Sequence, residues 1–386
     1  MQAILKWAGG KDKELKYILP ALPENYEDYY EPFVGGGSVF MAVEARRYFI
    51  NDLSTELIAL YRCIAAGDAL FFEYAEAIDN AWGAADTFFA EHRELAELYG
   101  QYSSGLIDRD ALARRIGDFC AATAPRIEAM IAGLPELNAD LIVDEMQRKM
   151  LRKMLRMCKL EHEKHPLPAS DIYDNLLTAI KSALYMYFRG LYNDGRIAAD
   201  NPALHCALFL FIRNYCYSGM FRYNDDGDFN VPYGGMAYNS KRLAHKLDYY
   251  RSSDLVERLA ETTSECADFE EFFRRNMPGE NDFVFLDPPY DSEFSTYAQN
   301  EFSRLDHIRL ANYLLNVCPA RWMLVIKNTD FIHTLYNHPG INIKAFDKTY
   351  QVSFMNRNDR AAQHLLITNY SSACEIIARN SGQYGH

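Results

Sequence analysis

Apolar positions fall into two kinds of pattern along this chain, and the two kinds divide it. Residues 26–30 form a short aromatic run that ends in Glu31-Pro32-Phe33-Val34-Gly35-Gly36-Gly37-Ser38, and Val39, Phe40, Ala42 and Val43 follow at helical spacing. This order predicts a strand, a glycine turn and a helix. Tyr48-Phe49-Ile50 then leads into Asn51-Asp52, a second strand with an acid at its carboxyl end. Toward the other end, Phe283-Val284-Phe285-Leu286 is wholly apolar and stops at Asp287-Pro288-Pro289-Tyr290. Residues 322–326 stop at Lys327-Asn328, residues 364–367 predict a final strand, and 305–317 between them have helical spacing. Strands alternating with helices predict an α/β fold, a mostly parallel sheet with helices on both faces.

Residues 66–200 carry almost no strand signal. Helical periodicity runs through 111–131 and 141–160, broken near Gly133-Leu134-Pro135 and His165-Pro166-Leu167-Pro168. The block reads as a helical insertion without internal repeat, self-contained and separable from its surroundings. Residues 213–235 turn polar, aromatic and glycine-rich. There Asn224-Asp225-Asp226-Gly227-Asp228 predicts a tight turn between strands at 220–223 and 229–232, which is a hairpin. The expected division is therefore 1–65 and 271–386 as two parts of one α/β domain, 66–200 as the insertion, and 201–270 as a region around the hairpin.

A chain of 386 residues has room for this arrangement. Hydrophobic residues at 49% and charged residues at 24% exclude a disordered chain. No apolar run approaches the length of a membrane span, the longest being 207–212 and 322–326. The start, Met1-Gln2-Ala3-Ile4-Leu5-Lys6, lacks the charged leader and apolar core of a secretory signal, so a cytoplasmic protein is expected. The eight cysteines are scattered without a CxxC, and His162 and His165 stand in a charged run that reads as a solvated helix face; no metal site is expected. Forty basic against fifty-three acidic residues give a net charge of −13, which repels a polyanion at long range. Nucleic-acid binding would need local basic groups. Candidates are Lys6, Arg213, Arg222, Lys241, Arg242 and Lys246, with a helical stripe of Arg148, Lys149, Arg152, Lys153, Arg156 and Lys159 that reads first as a solvated face.

The glycines alone are a weak signal, and neither GxGxxG nor GxxxxGK[ST] is present. Asp52, at the end of the next strand, is well placed to accept hydrogen bonds from a ribose, which suggests a nucleoside-containing cofactor. Asp287-Pro288-Pro289-Tyr290 is more specific. Two prolines hold the chain rigid and extended as it leaves the sheet, presenting a carboxylate, a proline carbonyl and an aromatic ring together. An exocyclic amine on a nucleobase is a poor nucleophile because its lone pair is delocalised into the ring. Asp287 and the Pro288 carbonyl could hold both amine hydrogens while Tyr290 stacks on a base extruded from its helix. A methyl sulfonium beside Phe33 would be the electrophile.

At these residues the chain resembles the Dam-like (D12, α-group) DNA adenine-N6 methyltransferases. Leu5-Lys6-Trp7-Ala8-Gly9-Gly10-Lys11 resembles the family's N-terminal cofactor motif, residues 31–40 its cofactor loop, and Asn51-Asp52 its ribose-binding acid. Arg222-Tyr223-Asn224, Gly227 and Phe229-Asn230-Val231-Pro232-Tyr233-Gly234 look like its DNA-reading hairpin, and 287–290 like its catalytic motif, with Phe294-Ser295-Thr296-Tyr297 after it. The resemblance implies a Rossmann-like methyltransferase fold with a seven-stranded mostly parallel sheet, a helical insertion and a target-recognition region. It implies S-adenosylmethionine bound by Trp7, Lys11, Glu31, Phe33, Gly35, Gly37, Ser38, Asp52 and Asp287. Catalysis falls to Asp287, Pro288, Pro289 and Tyr290, and duplex-DNA contact to Lys6, Arg222, Asn224 and Tyr233. A separately encoded restriction endonuclease is left open as a partner. Ser218 stands where many relatives have Asn, the hairpin tip is acidic where relatives often carry Lys or Arg, and the insertion is longer than in compact relatives. Two other readings remain open from the residues: the same chemistry on RNA, and an inactive DNA-binding relative.

Overall fold

The computed structural model describes residues 1–135, 138–290, 302–349 and 361–371. The chain divides into two compact units, Met1–Ala65 with Ser253–His386, and Ala66–Ser252. In the first, seven strands make one sheet: β1 Asp28–Glu31, β2 Arg47–Asn51, β3 Thr262–Glu265, β4 Phe283–Leu286, β5 Arg321–Lys327, β6 Asn342–Thr349 and β7 Ala361–Thr368. Their order is β3-β2-β1-β4-β5-β7-β6. The first five are parallel, and β7 runs antiparallel between β5 and β6, with Val325 opposite Leu366. This is the mostly parallel seven-stranded sheet of an α/β methyltransferase fold.

All four residues of β4 are buried, as expected of a strand covered on both faces. Alternate residues of the central strands, Val284 and Leu286 with Trp322, Leu324 and Ile326, join one core cluster. The α/β unit's helices are α1 Leu15–Ile18, α2 Thr55–Ala65, α11 Ser253–Ala260, α12 Phe269–Arg275, α13 Arg304–Asn316 and α14 Asp330–Tyr336. Phe272 and Phe273 of α12 and Leu310 and Leu314 of α13 belong to the same cluster. Strands β3 and β6 escaped the sequence pattern. Each lies at an edge of the sheet, and β3 is the polar Thr-Thr-Ser-Glu. The helix expected after the glycines is a set of turns instead, with Met41 N donating to Gly37 O (2.9 Å) and Ala42 N to Val39 O (2.8 Å). Val39, Phe40, Met41 and Val43 are all buried, and a helix with a single apolar face cannot bury such a run.

The second unit holds α3 Ala69–Glu91, α4 Glu94–Ser103, α5 Arg109–Ile131, α6 Ala139–Glu163, α7 Ala169–Asn193, α8 Gly195–Asp200, α9 Pro202–Tyr215 and α10 Ala244–Tyr250. On α6 the buried stripe is Ile142, Met146, Met150, Met154 and Met157, whereas the basic residues lie outside it. An aromatic core joins α3, α7, α9 and the segment after α9. Trp82 lies 4.6 Å from Tyr215 and 5.3 Å from Tyr233, and Tyr185 lies 5.6 Å from Tyr233, between ring centroids. This core corrects the expectation of a separable insertion, because α3 and α7 supply the walls against which residues 215–239 pack. The boundary expected at 200/201 falls at Asn201, whose side chain caps α9 inside this unit. The hairpin strands expected at 220–223 and 229–232 reduce to isolated bridges, Tyr223 with Phe229 and Cys216 with Tyr233. The outward backbone groups of Phe229 and the Val231 carbonyl are engaged by side chains of α7.

Candidate active site

Strands β1 and β4 are neighbours, yet the chain leaves them toward opposite halves of the sheet. Their carboxyl ends therefore flank the switch point at which open α/β sheets bind ligands. Glu31 closes β1. It is buried and accepts a hydrogen bond from the Tyr29 hydroxyl (2.7 Å). Burial pushes its carboxyl well above the usual carboxylate range; the charge of Asp287 adds to this, while the Tyr29 hydrogen bond and Lys11 oppose it. The glycine loop then lies against the N-terminal segment. Gly36 O accepts from Ile4 N (3.0 Å), and a Cβ on Gly36 would stand 2.0 Å from the Leu5 carbonyl oxygen. Gly37 has φ +80°, open to glycine at little cost, and a Cβ there would meet the Tyr61 hydroxyl at 2.4 Å. Trp7 is half-buried against Gly35, and Ser38 is buried beside Gly10.

Asp52 follows β2. Its carboxylate accepts from Gly35 N and Ser54 N, both at 3.0 Å. Burial raises its pKa, and those backbone N–H groups oppose the rise. The preceding Asn51 is a staple: its amide donates to Pro32 O (3.0 Å) and Ala267 O (2.9 Å) and accepts from Ala267 N (2.9 Å). It thereby ties the loop after β1 to the loop after β3. Between them opens a shallow cleft whose walls include Phe33, Leu53, Asp268, Phe269, Phe302 and Asp306. Phe33 meets Phe302 edge-on at 5.4 Å and lies 5.9 Å from Phe269.

Lys11 joins these parts to the motif after β4. Its ammonium is buried, donates to Gly9 O (2.8 Å) and the Tyr290 hydroxyl (3.3 Å), and ion-pairs with Asp287. It stands 5.6 Å from the centroid of the Tyr290 ring. The Tyr290 hydroxyl also meets His364 Nε2 of β7 at 3.1 Å. Pro288 is buried and Pro289 exposed, so the two prolines face different ways as the chain leaves the sheet.

The structure thus brings Trp7, Lys11, Glu31, Phe33, Gly35, Gly37, Ser38, Asp52, Asp287 and Tyr290 to the carboxyl ends of β1, β2 and β4. Sequence reasoning missed Asp268, Phe269, Phe302 and His364. Asp268 caps α12 through Glu270 N, and Asp-Phe-Glu-Glu is a helix-start signature that could have exposed it. His364 has no such signal, because its partner is 74 residues away. Phe294, Ser295, Thr296 and Tyr297 lie outside the described residues.

Of the residues assigned to DNA, Lys6 is exposed. Arg222 is exposed and donates across its turn to the Asn230 side chain (2.7 Å). Asn224 shapes the tip, accepting from Asp228 N (2.7 Å). Tyr233 is corrected: it is buried in the aromatic core with its hydroxyl donating to Asn239 (2.9 Å), so it has no face to offer DNA. Arg213 is corrected likewise. It is 3% exposed and donates to the carbonyls of Met220 (2.8 Å) and Gly219 (3.2 Å), and so orders the turn containing Ser218. Burial pulls Lys246 down to about 8 and weakens it as a phosphate contact. On the α6 stripe, Arg148 and Lys149 pair with Glu145, and Lys159 with Glu163, as a solvated face would.

A profile of the D12 class N6 adenine-specific DNA methyltransferases matches residues 7–120 and 167–352. The chain belongs to this family. It is a DNA adenine-N6 methyltransferase, and the match takes in the N-terminal motif from Trp7 onward, Asp52 and the 287–290 motif. It passes over 121–166, the latter part of α5 and all of α6. The type II methyltransferase M.CviBI of Paramecium bursaria Chlorella virus NC1A is 25% identical over 376 residues, covering 96% of this chain and all of that protein. The type II methyltransferase M.MjaIII of Methanocaldococcus jannaschii is 24% identical, covering 96% and 99%. A DNA adenine methylase of Vibrio cholerae is 23% identical, covering 92% of each chain. No helix among the described residues is long and apolar enough to cross a membrane, and no three His, Cys, Asp or Glu among them cluster as a metal site.

Proposed function

We propose that the enzyme methylates adenine N6 at specific sites in duplex DNA, with S-adenosylmethionine as donor and the base turned out of its helix. The observation that carries this reading is Lys11, which ties the N-terminal loop to both Asp287 and Tyr290 at the β1/β4 switch point. The chemistry of the cleft suits such a cofactor: Phe33, Phe269 and Phe302 give it aromatic walls, and Asp268 and Asp306 bring carboxylates to it. Asp52 would hold the ribose hydroxyls; Phe33 and Phe269 would flank the adenine; Glu31, Trp7 and Ser38 would hold the amino-acid end. The bound cofactor supplies an activated methyl group.

The chain's own residues do the rest. Asp287 and the Pro288 carbonyl accept the two N6 hydrogens and turn the nitrogen lone pair out of conjugation, and the gain comes from alignment and fixed charge. The Asp287 carboxylate would also accept the proton that N6 must shed. Lys11 and His364 grip the Tyr290 hydroxyl and hold its ring as a stacking surface for the base. Lys6 and the exposed arm around Arg222 and Asn224 contact DNA. Two of the relatives described above carry type II names; a restriction role here would require a separately encoded endonuclease.

Incubation of the purified protein with labelled S-adenosylmethionine and either duplex DNA or RNA tests the reading. Label in adenine N6 of DNA supports it. Label in RNA alone would reassign the substrate, and no transfer to either would mark an inactive DNA-binding relative.

A further inference from the structure

Helix α7 presents one row of polar side chains, Thr178, Lys181, Tyr185, Arg189 and Asn193, spaced three or four residues apart on a single face. Every member of that row bonds to the segment 229–239. Thr178 Oγ1 accepts from the Asn239 amide (3.0 Å), and Lys181 Nζ donates to Asn239 O (2.5 Å). Tyr185 (2.9 Å) and Arg189 (3.3 Å) both donate to Val231 O. Asn193 works in both directions, donating to Phe229 O (3.1 Å) and accepting from Phe229 N (3.0 Å). Next to it, Tyr192 and Tyr223 meet through their hydroxyls at 3.2 Å.

We propose that α7 is the template that sets the place of the DNA-reading arm, and that Asn193 is a specificity-determining positioning residue for the duplex. The proposal rests on the reading that the arm around Arg222 contacts DNA. Phe229 is 1% exposed, whereas Arg222 and the tip residues Asp225, Asp226 and Gly227 are exposed. The described arm is held to itself by two isolated bridges, Tyr223–Phe229 and Cys216–Tyr233, while the outward backbone groups of Phe229 and the Val231 carbonyl are met by α7, so part of its shape comes from outside. Asn193 takes the part of a missing partner strand, because one amide supplies both a donor and an acceptor to a single residue. Aspartate in its place would keep only the acceptor. Alanine would leave a buried N–H and C=O unmet, which costs more than a hydrogen bond contributes.

The test uses the full chain with Asn193→Ala, Asn193→Asp and Arg222→Ala. Steady-state kinetics on one duplex are combined with methylation of a randomised duplex library read by sequencing. For Asn193→Ala we expect the KM for DNA to rise about tenfold while kcat at saturating DNA stays within about twofold. Cofactor affinity should not change, and the library preference should broaden at the positions that Arg222→Ala also relaxes. Asn193→Asp should fall between this variant and the parent. Should Asn193→Ala fail to fold, Tyr185→Phe removes a single hydroxyl from the same row and carries the test. A wild-type KM and site preference in the α7 variants, alongside an altered preference in Arg222→Ala, would overturn the template. Equal losses of kcat and cofactor affinity would overturn it too, by showing general destabilisation. Unchanged preference in Arg222→Ala as well would remove the reading of the arm and the proposal together.

Discussion

Glu31 is a buried carboxyl whose charge the fold disfavours. Burial raises its folded pKa above the unfolded value, so the protonated form is the one the fold favours. The support this provides is complete below the ordinary carboxylate range and is lost as pH rises through the raised value. Without cofactor, Glu31→Gln should therefore gain melting temperature over the parent between about pH 5 and 8, since an amide does not titrate. Parallel melting curves across that range would show that Glu31 is already ionised in the fold. Under the proposed function, variants of Asp287 and Asp52 should separate chemistry from binding. Asp287→Ala should lower kcat by orders of magnitude with little change in cofactor or DNA affinity, because its acceptor acts mainly in the transition state. Asp52→Ala should weaken S-adenosylmethionine by about 1–3 kcal/mol, read by calorimetry, with the fold retained. A near-normal single-turnover rate in the first, or unchanged affinity in the second, would remove that residue from its role.

Two elements depend on contacts that no neighbouring residue supplies. The glycine loop lies directly on the backbone of Leu5, so Gly36→Ala must displace either the loop or the N-terminal segment. We expect a loss of about 1–3 kcal/mol in stability and of cofactor binding together; a variant with normal melting temperature and affinity would show that the segment yields freely. In α7, Lys181 is fully buried, bonds to Asn239 O and lies 2.8 Å from Asp86. Its positive end also stands 5.0 Å from the centroid of Trp82. Lys181→Met should destabilise the helical unit by about 1–3 kcal/mol in denaturant titrations while cofactor affinity is kept. Equal stability would mean that water satisfies Asn239 as well as the lysine does.

With a net charge of −13, the enzyme must meet DNA through few cations. Arg213 is buried, Lys246 is depressed to about 8, Arg242 pairs with Asp79, and three of the α6 cations pair with glutamates. The salt dependence of binding should therefore be shallow, corresponding to about four phosphate contacts or fewer at a slope near −0.9 per contact. A slope as steep as about −6 would show that DNA is met by cations beyond these few. The same pairings decide how the chain can be cut. Replacing residues 70–175 with a linker would remove Trp82 and Asp79, which hold Tyr215, Tyr233 and Arg242, so the shortened protein should aggregate when expressed. A soluble shortened enzyme that still methylates would restore the view of the block as an independent module.

What could be read directly from residue order was whatever depends on near neighbours. The apolar run at 283–286 stopped by two prolines, the acid ending β2, the glycine turn and the long periodicities of α5 and α6 are each relations among residues close in sequence. The polar edge strands, the turns at 38–43 and the bridges that stand in for the hairpin depend on what packs beside them, which local periodicity does not encode. The same holds for the burial of Tyr233 and Arg213, whose side-chain types read equally well as ligands for DNA. Lys11 reaches Asp287 across 276 residues only because β1 and β4 are adjacent at the switch of the sheet. Strand order is set by the packing of the whole sheet and its helices, and so the charge that faces Asp287 was a matter for the assembled fold.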